Sequence, residues 1–183
     1  MRLVFVLSAL LSAVFTGLAR AASLPETEHA RVVEFTAFLE SHPFDDRAPA
    51  MRSWLLSWED KSTDTVDVVC EKVLAPLPSK DVAYSAELLA QFIFGSAANQ
   101  LINPASKGQF ALNQLAGMRS LLRAYASILQ SKPGAHNPRL DELSRQEAAG
   151  TLEAFLTPVI QTCKKRIRDG RRCPLPIRGG PFS

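Results

Sequence analysis

The sequence predicts an all-α protein, an irregular single-domain bundle of about six helices, on three observations. Apolar residues recur at intervals of three and four along most of the chain. Serine, threonine and aspartate precede those runs, and proline or glycine ends them. The clearest run is Ser106 to Ser131, where Ala111, Leu115, Met118, Leu122, Tyr125 and Leu129 fall on one stripe of a helix. Phe110, Leu121 and Ile128 widen that stripe, so several partners are expected to pack against this helix. Ser106 with Gln109 predicts a capping box at its start, and Pro133-Gly134 ends it.

The N-terminus reads as a leader rather than as part of the fold. Arg2 precedes an uncharged, mostly apolar run from Leu3 to Leu18, and Ala19-Arg20-Ala21 places small residues where a signal peptidase reads. Residues 1–21 are therefore expected to be a signal peptide cleaved after Ala21; an uncleaved membrane anchor is the alternative, disfavoured by the shortness of the run. Residues 22–163 form the expected helical domain, and residues 164–183 a basic tail expected to be disordered. No stretch after residue 22 is long and apolar enough for a membrane span. This layout implies export to a periplasm or the cell exterior, and the compact leader fits a bacterium.

Charge is unevenly shared. Without Arg2 and Arg20 the chain carries 19 basic and 18 acidic residues, a net of +1. Seven of the basic residues follow Cys163 against one acid, Asp169, so the tail is +6 and the body is −5. The alkaline character thus belongs to the tail and argues against a general nucleic-acid surface. The tail itself is a candidate for weak contact with acidic lipid, against the simpler expectation of a solvated end.

Three cysteines in an exported chain allow three pairings. Cys70 and Cys163 each sit on an apolar stripe, whereas Cys173 lies in the tail beside Arg172 and Pro174, so a Cys70 to Cys163 bridge is favoured. Two buried reduced thiols are the alternative.

The first helix is expected over residues 24–41, from a Ser23 and Glu26 capping box through Val32, Phe35 and Leu39 to His42-Pro43. Asp45 and Asp46 then favour the positive end of a second helix with Pro49 in its first turn. Its apolar face is Met51, Trp54, Leu55 and Trp58. Residues 64–75 read as a short helix by spacing, although their β-branched content suits a strand. Ser79 is expected to cap a strongly apolar helix to Ile102, the principal partner of the central one, whose Gly95-Ser96-Ala97-Ala98 lets a neighbour approach closely. A short polar helix carries Leu140 and Leu143. Thr151 then starts a last helix through Leu156 to Cys163, in which Pro158 predicts a kink or a break.

Candidate chemistry is sparse. Glu26 and His29, three apart on a helix, form half of a carboxylate and histidine metal site, without a second half to complete it. A solvated first turn explains them more simply. His42 with Asp45 and Asp46 offers a base and acids in one turn, yet no nucleophile motif accompanies them. Neither His136 nor Cys173 has a stronger context. Trp54 and Trp58, one turn apart, are candidates to line a pocket for an apolar or sugar ligand, or are plain core. The sequence therefore points to a non-enzymatic exported binding or interaction protein, with no cofactor expected. Its partner would be another protein or a small apolar ligand, not nucleic acid. An exported metal-dependent or hydrolytic enzyme using the Glu26 and His29 face or the His42 turn is the alternative.

Overall fold

The structure, a computed structural model, describes residues 27–169. The predicted leader, Glu26, Cys173 and most of the basic tail lie outside them. Seven helices follow in order: α1 Glu28–Ser41, α2 Ala48–Lys61, α3 Glu71–Leu74, α4 Ser85–Ile102, α5 Phe110–Ser131, α6 Pro138–Ala148 and α7 Leu152–Arg168. No strand occurs among the described residues. This is the all-α bundle of about six helices that the sequence predicts, with α3 a single turn.

The centre is an antiparallel pair, α4 and α5. Asn99 meets Asn113 near the connection, and Gln91 meets Ser120 farther along. The small residues do what their spacing predicts. A Cβ on Gly95 would sit 2.1 Å from the Ser120 Cβ, and one on Gly117 would sit 2.6 Å from the Phe92 carbonyl oxygen. The two helices touch backbone to side chain with no room for a methyl. Helix α1 lies across both, α2 packs on α1 and α4, and α6 and α7 cover the other side of α5. Tyr125, Phe92, Phe94, Met118 and Leu121 form the fully buried middle.

Several helix ends differ from their sequence signals. Helix α5 begins at Phe110 because Ser106 is buried in a turn, where its hydroxyl donates to the Asn103 carbonyl at 2.7 Å, so the predicted capping box does not form. Helix α4 begins at Ser85. Ser79 holds a preceding turn, accepting from Asp81 N at 3.2 Å, and Tyr84 takes a left-handed backbone (φ 57°) that no helix can pass through. Helix α7 runs unbroken past Pro158 to Arg168. Pro158 and Ala154 are both exposed, so water can meet the carbonyl that loses its partner. Lys164, Lys165, Arg166 and Arg168 thus extend a helix. Other signals hold: Asn137 caps α6, its side chain accepting from Arg139 N and Leu140 N at 3.0 and 3.2 Å.

Residues 64–75 split. Residues 66–70 are neither helix nor strand, Cys70 having an extended backbone, and only Glu71–Leu74 is helical. With no neighbouring strand, the extended backbone is bonded by two amide side chains from the central pair. Gln100 of α4 accepts from Val66 N at 3.0 Å and donates to its carbonyl at 3.4 Å. Gln114 of α5 accepts from Cys70 N at 3.0 Å and donates to the Val68 carbonyl. Both glutamines are buried. The segment ends in a disulfide from Cys70 to Cys163 of α7, with Cα atoms 6.0 Å apart. Closing a loop of 93 residues, it stabilises the fold by about 4 to 5 kcal/mol on chain-entropy grounds. No helix among the described residues is long and apolar enough to cross a membrane.

Candidate functional site

Trp54 and Trp58 line one open groove of about 350 Å³, between the start of α1, the second half of α2 and residues 62–64. Helical spacing puts both indoles on one side of α2, and the α1 contact buries them unequally. Trp58 is only 8% exposed, whereas Trp54 is half-buried. The Phe35 ring meets Trp54 edge-on at 5.4 Å, and the Arg31 guanidinium lies 5.4 Å from its ring centre. The His29 ring stands edge-on to Trp58 at 6.2 Å.

The rim is polar. Glu28, Ser57, Lys61, Ser62, Thr63 and Asp64 supply carboxylates, hydroxyls and one ammonium. The 62–64 wall is tied to two other elements and braced by one bond of its own. His29 Nε2 pairs with Asp64 Oδ2 at 2.8 Å, Asp64 N donates to Ser62 Oγ at 3.1 Å, and Lys107 donates to the Thr63 carbonyl at 2.9 Å.

Behind this wall lies a second feature that the sequence reading did not single out. Glu59 of α2 meets Asp67 of the extended segment carboxyl to carboxyl. Glu59 Oε1 and Asp67 Oδ1 are buried, and no donor reaches either among the described residues. Burial, followed by the hydrogen bond and repulsion from Asp67, raises the Glu59 carboxyl well above the ordinary carboxylate range; the Thr65 hydroxyl opposes this. Thr65 Oγ1 also donates to the other Asp67 oxygen at 3.0 Å. One proton shared between the two carboxyls would satisfy both orphaned oxygens.

The remaining candidates are put to other uses. His29 spends its Nε2 on Asp64, and no group of three or more metal-ligating side chains occurs among the described residues. The His42 ring stacks on Phe38 at 4.8 Å instead of pairing with an acid. Asp45 takes Arg47 through both backbone and guanidinium, which pulls its carboxyl down to about 2, and Asp46 is exposed. His136 joins a buried-edge network that its loop context did not reveal. Its Nδ1 lies 3.1 Å from Asp141 Oδ1, the Tyr125 hydroxyl donates to the same oxygen at 2.7 Å, and Asn137 N donates to that hydroxyl at 2.8 Å. Burial, then Asp141, pushes the Tyr125 phenol up to about 12. This network fastens the start of α6 onto α5. Compared with family models, curated proteins and solved structures, the chain matches none.

One signal pointed to the Glu59 and Asp67 pair and to the two glutamines. Thr65, Val66, Val68 and Val69 are β-branched within a helical chain, and a lone extended segment must borrow its hydrogen-bond partners. Gln100, inside the most apolar helix, and Gln114, on the buried side of α5, are such lenders.

Proposed function

We propose that the protein is an exported, non-enzymatic helical binding protein that takes a small hydroxyl-rich ligand, of the sugar class, into the Trp54 and Trp58 groove. The observation that carries this reading is the composition of the groove. Indole surface suits the apolar face of a sugar ring, and a rim of hydroxyls, carboxylates and one lysine offers both donors and acceptors to its hydroxyls. A purely apolar ligand would leave that rim unpaired. The buried Cys70 and Cys163 disulfide supports export, because such bonds persist in oxidising compartments.

Titrating the protein with glucose, N-acetylglucosamine, maltose and cellobiose while following tryptophan fluorescence tests the groove. A saturable change that disappears in Trp54→Ala, with helicity retained, is expected. No saturable change with any of the four sugars would end the sugar reading. Export is tested by N-terminal sequencing of the protein recovered from a secreting host, where a chain starting at Ala22 is expected and the intact leader in cytosol contradicts it.

Contact with acidic lipid is a second reading, supported by the exposed run Lys164, Lys165, Arg166 and Arg168 with exposed Ile167 on the last turns of α7. Binding to vesicles rich in phosphatidylserine should fall when residues 164–183 are removed.

A further inference from the structure

Several contacts hold residues 62–67 against the rest of the molecule, among them Lys107 to the Thr63 carbonyl at 2.9 Å and Gln100 to Val66 N at 3.0 Å, and one of them, Glu59 against Asp67, depends on a proton. At one end, His29 of α1 meets Asp64 at 2.8 Å. At the other, Glu59 of α2 faces Asp67, with one buried oxygen on each side that no other donor reaches. Two carboxyl groups in contact are stable when they share a proton and repel when both are ionised. Val66, Val68 and Cys70 are held by the Gln100 and Gln114 amides, which do not titrate.

We propose that residues 62–67 form an acid-held clamp on the groove wall, closed while Glu59 carries a proton for Asp67 and loosened when that proton is given up to solvent. The change adds no bond. It leaves two carboxylates side by side in a poorly hydrated place, and the segment relieves them by moving away from α2 into water. Consequences for ligand binding rest on the groove reading above, whereas the clamp itself does not.

The charges around the pair do not cancel this response. On the segment they are Asp64 and Asp67; on α1, Glu28 and His29; on α2, Asp60 and Lys61. The connection before α5 offers Lys107, whose ammonium is taken by the Thr63 carbonyl at 2.9 Å. Helices α4 and α5 face the segment with the neutral Gln100 and Gln114. The sign follows from Glu59, whose folded carboxyl is raised. Its stabilisation is complete below the ordinary carboxylate range and is lost as pH rises above that range. The opening equilibrium of the clamp therefore grows by up to about tenfold per pH unit.

Amide hydrogen exchange of the purified protein, with its disulfide intact and rates corrected for the intrinsic pH dependence, reads this directly. A peptide covering residues 62–69 should lose protection by up to about tenfold per pH unit from weakly acid to weakly alkaline solution, while a peptide from the middle of α4 keeps its protection. In Glu59→Gln the amide donates to Asp67 with no proton to lose, so the profile should be nearly flat. Asp67→Asn donates in the opposite direction and should flatten it too, which keeps the test open if the first variant disturbs the fold. Unchanging protection of residues 62–69 in the wild-type protein overturns the clamp, and so does a Glu59→Gln profile that follows the wild type. Because no sugar is present, a pH response in exchange without sugar binding leaves the clamp standing and removes only the groove reading. Sugar binding with flat exchange does the reverse.

Discussion

The α4 and α5 pair and the extended segment 62–70 both bury polar groups, yet they do so on opposite principles. In the helical pair every backbone bond is internal, so glycine can bring the rods together and the buried polar side chains can serve one another. Gln91 donates to Ser120 at 2.9 Å and to the Thr36 carbonyl at 3.1 Å, and Ser120 donates to Glu40 at 2.6 Å. The extended segment has no strand beside it, so its backbone relies on side chains from other elements, and one oxygen of Asp67 is buried without a partner. The helical region is close-packed, with glycines at its closest approaches. The segment is held by a few directional contacts, some of them titratable. Local stability should divide along that line.

The largest effect should come from the disulfide that ends the segment. Replacing Cys70 and Cys163 together by alanine should cost about 2 to 5 kcal/mol in urea unfolding, and a smaller loss would mean that the glutamines alone hold the segment. Next, Gly95→Val tests the helical pair. A side chain there meets Ser120 at once, and a loss of about 3 kcal/mol is expected, against almost none for Gly134→Ala, whose Cβ would meet nothing. Gln114→Ala should cost about 2 kcal/mol, because the Cys70 N–H and the Val68 carbonyl lose their partner, and hydrogen exchange should rise in the segment before it rises in α4. If α4 loosened first, the two regions would not be separable. Glu59→Gln sharpens the contrast through pH. The raised Glu59 carboxyl makes the wild type lose stability between about pH 6 and about pH 8, and the variant should narrow that loss by about 1 to 2 kcal/mol. The smallest change is Arg123→Ala, which breaks a half-exposed pair with Glu40 at 2.6 Å and should cost about 1 kcal/mol or less, falling with added salt.

Much of the helical region was legible in the chain because its signals are local. The stripe of α5, the stop at His42-Pro43, Pro49 in the first turn of α2 and the small residues of α4 all appear where spacing places them. The misplaced starts share one cause. Ser79 and Ser106 are good caps by type, but each found a nearer partner in a turn, and a cap signal cannot report such competition. Tyr125 is another case. It occupies the apolar stripe as expected, yet its hydroxyl reaches out of the core to Asp141, which the stripe does not encode. The groove was half visible, since the tryptophan pair announced itself by spacing. Its wall was not, because His29 and Asp64 are 35 residues apart.

The sequence by itself determined that this protein is helical, roughly where the rods lie and which faces they bury, because helical periodicity, capping and proline act within a few residues. Tertiary structure decided which cysteines meet and what becomes of residues 64–70. It also decided where Glu59 puts its carboxyl. Those outcomes depend on groups brought together across the fold, where burial changes what a hydrogen bond or a charge is worth, and no local pattern carries that information.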